Sequence, residues 1–300
     1  MKVIDKLASR EDMIAPGVSA CAGCNVELTL RTMTKILGPN TILAVPPGCV
    51  GGVGVVGWDK KSGAKIPVFF PLLDNTASML AGIRMGFNAK GRDAHIVGFA
   101  GDGATTDAGF QALSGAAERG DRIIYICYDN EGYMNTGYQR SASTSKYAWT
   151  STTPVSRDGK GGKSQDKKDL PLIMAMHDIP YMATASPAYI PDMVRKLERA
   201  MEVKDGLAYI HVYNPCPTGW GFRPEESIEV CRLGVQSRMF PLYESRYRNI
   251  KITHDFKNPI PVSDYLSRMQ KFEHLTPEQT DEMQHIVDRR WQFLEAIAGI

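Results

Sequence analysis

Six cysteines stand in this 300-residue sequence, and four of them occupy places where a thiolate could hold a metal. Cys21 and Cys24 form a C-x-x-C among small residues, directly ahead of the helical pattern VELTLRTMTKILG with its apolar face of Val26, Leu30, Met33 and Leu37. A C-x-x-C that opens a helix serves zinc, a redox dithiol or an iron–sulfur cluster, and alone it does not choose among them. No strand pattern precedes Cys21, which counts against a thioredoxin-like dithiol. Cys49 lies in VPPGCVGGVGVVGW, whose nearly bare backbone could wrap closely around an inorganic cluster and hydrogen-bond its sulfurs. Cys216 ends an apolar strand pattern in NPCPTGW, where proline on both sides fixes the backbone. Cys127 falls mid-strand and Cys231 within a helical run, so both are expected as core thiols.

A second chemistry is written between His95 and Asn135. The apolar run Ile96–Ala100 is followed by Gly101-Asp102-Gly103, a helical pattern, a second apolar run Ile123–Tyr128 and then Asp129-Asn130. This is a βαβ unit, and ligands of parallel sheets bind beyond the carboxyl ends of the strands, where Asp102 and Asn130 both fall. Two oxygen donors at neighbouring strand tips suit Mg²⁺, completed by the phosphates of a substrate or cofactor. A helix starting after Gly103 would aim its N-terminus at such a phosphate.

The surrounding elements continue the rhythm. IPVFFPLLDNTASMLAGIRMGFNAKG reads as strand then helix, with Asp74 as a cap and Asn75 able to reach a ligand at that tip. Lys60, Lys61 and Lys65 mark a basic, exposed turn. Glu131 to Thr153 is a long polar loop with Tyr133, Tyr138, Tyr147 and Trp149, whose hydroxyls, amides and Arg140 could surround a diphosphate. SRDGKGGKSQDKKD reads as a solvated, mobile excursion whose lysines need no ligand. From Asp169 the βα pattern resumes, His177 reads as a satisfied core histidine, and LAYIHVYNPC is the last strand before a charged helical tail.

The fold class is therefore α/β, with a doubly wound, mainly parallel sheet. We divide the chain into an N-terminal region (1–60), a central α/β domain (61–215) and a C-terminal arm (216–300) suited to contact with another subunit. With 35 basic and 33 acidic residues and a net charge of +2, the sequence makes no field for nucleic acid. It contains no apolar run of about 18 residues, so no membrane span is expected. Its first residues lack the apolar core of a secretory signal, and a cytoplasmic location is expected.

Taken together, the C-x-x-C at Cys21 and Cys24, Gly48-Cys49, Gly101-Asp102-Gly103, Asp129-Asn130-Glu131, Tyr133 to Arg140 and Pro215-Cys216-Pro217-Thr218-Gly219-Trp220 resemble the β subunit of pyruvate:ferredoxin oxidoreductase and its 2-oxoacid:acceptor relatives. The resemblance runs from about residue 15 to about 285. It implies the thiamine diphosphate (ThDP)-binding fold with one [4Fe–4S] cluster on Cys21, Cys24, Cys49 and Cys216, so that 1–60 becomes a cluster-binding region. It implies Mg²⁺ on Asp102, Asn130 and the Gly132 carbonyl, cofactor contacts from Gly101, Gly103, Thr136 and Asn75, and an Asn135 that points at the reacting substrate. The implied activity is oxidative decarboxylation of a 2-oxoacid, with ThDP as electron sink, electrons leaving through the cluster to ferredoxin, and the acyl group usually passing to coenzyme A. The implied partners are further subunits of the same complex (alpha, gamma and delta type), one of which supplies the carboxylate that activates ThDP. Two departures bear on the substrate: the loop after Cys49 is unusually glycine-rich, and Leu73-Asp74-Asn75 stands where Glu-Asn is usual. Pyruvate is the first expectation, and oxalate, branched-chain and aryl 2-oxoacids stay open. Two other readings are a ThDP decarboxylase or synthase without a cluster, and a zinc-stabilised, non-catalytic assembly subunit.

Overall fold

The computed structural model describes residues 3–51 and 63–299; the glycine-rich continuation of the Cys49 loop, with Lys60 and Lys61, lies outside them. Eight strands form one sheet: β1 Thr41–Ala44, β2 Val68–Phe69, β3 His95–Gly101, β4 Ile124–Asp129, β5 Tyr181–Ala185, β6 Ala208–Tyr213, β7 Leu242–Arg246 and β8 Asn249–His254. Their order is β2-β1-β3-β4-β6-β5-β7-β8, parallel from β2 through β5 and antiparallel at β7 and β8. Every residue of β4 and β6 is buried, as expected of parallel strands covered on both faces.

The alternation of side chains along each strand divides the core in two. Val97, Phe99, Ile126, Tyr128 and Ile210 pack with the helices Asn25–Leu37 and Ile190–Glu202. Ile96, Ala100, Tyr125, Cys127 and Tyr209 face the opposite layer, formed by Thr76–Ala89, Phe110–Glu118, Leu170–Met176 and the last helix, Pro277–Ala298. Cys127 and Cys231 are fully buried, and both nitrogens of His177 have partners, Ser114 Oγ at 2.9 Å and the Ile173 carbonyl at 2.8 Å.

The tail departs from the sequence reading. LAYIHVYNPC is not the last strand, because the hairpin β7–β8 follows and extends the same sheet. Its turn is built by Tyr247 and Arg248 at φ 47° and 65°, a left-handed pair without the Asn-Gly signal that such a turn normally carries. β8 carries only a short apolar face, Ile250 and Ile252 on either side of Lys251, set among charged and polar residues.

The lysine-rich excursion departs as well. Gly162 lies so close to Tyr147 that a Cβ there would stand 2.3 Å from the Tyr147 carbonyl, and this contact lays the segment against the loop before it. Lys163 is 1% exposed and donates to the Thr144 carbonyl at 2.6 Å. Lys167 reaches further in and joins a buried ion network. Asp129 accepts from Lys167 Nζ at 2.7 Å and Ser143 Oγ at 2.7 Å, with His211 Nε2 at 2.9 Å. Glu131 accepts from Lys271 Nζ at 2.8 Å, Ser145 Oγ at 2.9 Å and Lys167 Nζ at 3.2 Å.

Burial pushes both carboxyls up, but Lys167 and His211 outweigh it at Asp129, and Lys271 and Lys167 outweigh it at Glu131, so both sit below the ordinary carboxylate range. Groups with a lower pKa folded than unfolded stabilise fully above their unfolded-state range and lose that contribution as pH falls through it. Acid unfolding should therefore steepen below about pH 4, and Glu131→Gln should flatten that slope, read by fluorescence against pH. Lys271→Met strands a buried carboxylate and should lower denaturant stability by about 3–5 kcal/mol, while the double variant with Glu131→Gln should lose less than the two single losses combined.

Candidate functional site

The sheet order sets the site. Strands β1, β3, β4 and β6 are neighbours and point the same way, so the loops leaving their carboxyl ends lie side by side. Those loops carry Cys49, Asp102, Asn130 and Cys216 in that order. The chain leaves β1 toward β2 on one side and leaves β3 toward β4 on the other, which opens a crevice between the Cys49 and Asp102 loops.

The cysteine side is a cavity of about 220 Å³ lined by Cys21, Cys24, Cys49 and Cys216 together with Asn25, Glu27, Asn135 and Asn214. Cys24 caps the helix Asn25–Leu37, and the amides of Val26 and Glu27 face its sulfur. Cys216 caps the short helix Pro217–Trp220 and accepts from Gly219 N at 3.3 Å. Helix amides aimed at sulfur favour the thiolate. Burial pushes the other way and raises Cys24 to about 11 and Cys49 to about 12, the sulfurs around each adding to the rise. Cys21 is exposed at one corner, whereas Cys24, Cys49 and Cys216 are partly buried. Glycine is required beside one of the thiols: a Cβ at Gly23 (φ +69°) would stand 2.3 Å from the Pro224 carbonyl; one at Gly219 would press on the Met134 side chain. Among the described residues, no group of three or more His, Cys, Asp or Glu is arranged to hold a single metal ion.

The second cavity, about 110 Å³, is lined by Gly48, Cys49, Gly101, Gly103, Asn130, Gly132, Asn135 and Thr136 among others. Asp102 lies beneath it, wholly buried. Its Oδ2 accepts from Ser141 Oγ, and its Oδ1 accepts from the Asn130 amide nitrogen of the main chain at 3.3 Å. Asn130 Oδ1 faces Asp102 Oδ1 and the Gly132 carbonyl, so three oxygens meet with no donor between them; turning the amide by 180° would let Nδ2 donate to both at 2.9 Å. Burial, and next the Asp129 carboxylate, push the Asp102 carboxyl well above its usual range. An oxygen trio of this kind fits Mg²⁺. The turn after Asp102 begins as a π-helical segment, Gly103–Ala108, before the α-helix, and a Cβ at Gly103 would strike the Tyr133 ring at 2.4 Å.

The structure brings Cys21, Cys24, Cys49 and Cys216 together, and Asp102, Asn130 and Gly132 together. Cys49, Asn130, Met134 and Asn135 line both cavities and form their common wall. Asn75, rather than Asp74, caps its helix, and its Oδ1 accepts from Leu72 N at 3.0 Å; it lines neither cavity.

The loop's serine hydroxyls turn inward to protein carboxylates, whereas Tyr133 and Thr136 line the second cavity. Ser141, Ser143 and Ser145 alternate along the chain and serve Asp102, Asp129 and Glu131 in turn. That alternation, visible as SASTS, was the available signal. Lys167 and Lys271 had none, because a lysine in a polar stretch reads as solvated.

The model of the thiamine pyrophosphate enzyme C-terminal TPP-binding domain matches residues 65–212. The β subunit of NADH-dependent phenylglyoxylate dehydrogenase from Aromatoleum evansii is 48% identical over 98% of this chain, which spans 66% of that relative's length. Pyruvate synthase subunit PorB from Methanothermobacter thermautotrophicus is 44% identical over 93% of this chain and 96% of its own. Ketoisovalerate oxidoreductase subunit VorB from Pyrococcus furiosus is 40% identical over 97% of this chain and 94% of its own. A 2-oxoglutarate:ferredoxin oxidoreductase structure from Magnetococcus marinus shares the fold, with a TM-score of 0.57 at 20% identity over 69% of this chain and 67% of that one. The chain belongs to the β-subunit family of the 2-oxoacid:acceptor oxidoreductases and carries their thiamine pyrophosphate-binding domain.

Proposed function

We propose that this subunit binds Mg²⁺·ThDP through Asp102, Asn130 and Gly132 and a [4Fe–4S] cluster through Cys21, Cys24, Cys49 and Cys216, within a complex that oxidatively decarboxylates a 2-oxoacid and reduces ferredoxin. The observation that carries this reading is the common wall: the cavity lined by four cysteines abuts the oxygen trio across Cys49, Asn130 and Asn135. Four thiols around one cavity supply the number of thiolates that a [4Fe–4S] cluster needs. When bound, ThDP supplies the electron sink for decarboxylation.

The chain's own residues bind, orient and exclude. Ser141 holds Asp102 Oδ2, which leaves Oδ1 for the cation. Gly101 and Gly103 keep the approach to the diphosphate clear, and Thr136 closes its rim. Asn135 stands where the two cavities meet and would orient the substrate. Asn75 fixes the turn at Leu72 on the same edge of the sheet. The arm 216–300 supplies the surface for another subunit, and the activating carboxylate comes from that partner.

Pyruvate remains the first substrate to try, followed by the aryl and branched-chain 2-oxoacids named in the relatives above, and oxalate. Coenzyme A is the expected acyl acceptor except for oxalate, which yields CO₂ alone. A cytoplasmic setting accords with this chemistry, and among the described residues no helix is long and apolar enough to cross a membrane.

Cys216→Ala should remove about four iron and four acid-labile sulfides per copy of this chain from the native complex, with a matching loss of visible absorbance; a wild-type complex whose iron and sulfide do not change in the variant, or that holds zinc without iron, would refute the cluster. Ser141→Ala should weaken Mg²⁺·ThDP binding by about 10–100-fold in calorimetry without unfolding the chain. The isolated chain should bind ThDP poorly and show no 2-oxoacid-dependent dye reduction, whereas the complex should reduce dye with a substrate from an anaerobic panel run with and without coenzyme A.

A further inference from the structure

The Asn130 side chain touches both sites at once. Its Nδ2 lies 3.7 Å from Cys49 Sγ, and its Oδ1 faces Asp102 Oδ1 and the Gly132 carbonyl. Its backbone is clamped: the carbonyl accepts from Trp220 Nε1 at 2.9 Å, the N–H donates to Asp102 Oδ1 at 3.3 Å, and the residue is 2% exposed. Beneath it Lys271 presses on the Trp220 ring and pairs with Glu131. With the backbone fixed, the amide retains two orientations related by a half-turn.

Each orientation belongs to a different state of the oxygen trio. With a divalent cation among the three oxygens, Oδ1 is a ligand and Nδ2 must point to Cys49. Without the cation, three facing acceptors repel, and the half-turn that lets Nδ2 donate to Asp102 and Gly132 at 2.9 Å is the favourable one. Oδ1 then faces the sulfur, and the sulfur loses its N–H donor.

We propose that the Asn130 amide couples the two cofactor sites: a cation held by Asp102, Asn130 and Gly132 turns an N–H onto Cys49 and raises the reduction potential of a cluster ligated by that sulfur. The inference rests on the cofactor assignment of the preceding section. A hydrogen bond to a cluster sulfur favours the reduced, more negative state. Binding linkage is reciprocal, so reduction of the cluster tightens Mg²⁺·ThDP binding by the same factor that cofactor binding shifts the potential. The amide thereby reports the loading of the decarboxylation site to the group that accepts its electrons.

The test uses the native complex, stripped of divalent cation and ThDP by chelation and titrated electrochemically with EPR detection before and after Mg²⁺ and ThDP are restored. The midpoint potential of the cluster should rise on restoration, and the reduced complex should bind Mg²⁺·ThDP about tenfold more tightly than the oxidised one, which corresponds to 59 mV for a one-electron couple. Asn130→Ser keeps a neutral oxygen but has no N–H that reaches Cys49, and there the rise should vanish. A second measurement needs no variant: with ¹⁵N-asparagine incorporated, pulsed EPR of the reduced cluster should show a nitrogen coupling that appears with Mg²⁺·ThDP and fades on its removal. A potential and a nitrogen coupling that ignore cofactor loading would overturn the coupling. A complex with no iron–sulfur signal would instead overturn the cofactor assignment, a separate failure.

Discussion

Two buried carboxylates on either side of Asn130 set the conditions for everything around them. Asp129 and Glu131 lie at the tip of β4 with almost no solvent, and such charges survive only with close partners. The partners come from other stretches of the sequence: Ser143 and Ser145 from the polar loop, Lys167 from the lysine-rich excursion, His211 from β6, and Lys271 from the tail. Satisfying these two acids draws the loop down, brings the tail across it, and holds Asn130 between them. Glu131 itself has φ +61°, a backbone strain that the surrounding ion pairs sustain at the point where the strand turns into the site.

The second organising element is the sheet edge. Side-by-side parallel strands give four loop origins at a spacing fixed by backbone hydrogen bonds, and the sequence places a chemical residue at each. This explains how residues as distant as Cys49 and Cys216 come to line one cavity without any long-range motif linking them, while Cys24, ahead of β1, is brought in by the start of its helix. Asn214, at the foot of the Cys216 loop, reinforces the meeting by donating to the Asn25 carbonyl at 3.0 Å and to Thr29 Oγ1 at 2.8 Å.

Much of this was legible before the structure. The βαβ unit from His95 to Asn130, the thiols at loop and helix boundaries, and the core cysteines Cys127 and Cys231 each have a local signature: strand length, glycine at a turn, proline beside a thiol. What escaped was non-local or chemically disguised. Lys167 and Lys271 look like surface lysines because composition does not reveal a buried acid on another element. The β7–β8 hairpin lacked the expected turn residues, since Tyr247 and Arg248 take up the left-handed pair that glycine and asparagine usually supply, and the alternation of Ile250 and Ile252 is too short to mark a strand by itself. The inward-facing serines were written in the period of an extended chain but sat in a stretch without apolar residues to frame it.

The uneven exposure of the four thiols has a practical side. Cys24, Cys49 and Cys216 are shielded by helix starts and by the wall shared with the second cavity, whereas Cys21 stands at an open corner. Of the four thiols, Cys21 is the one that an oxidant or thiol reagent in solution reaches first. The durability of this chain in air then depends on what covers residues 20–24, making that one corner the weak point in handling and the natural place to engineer durability.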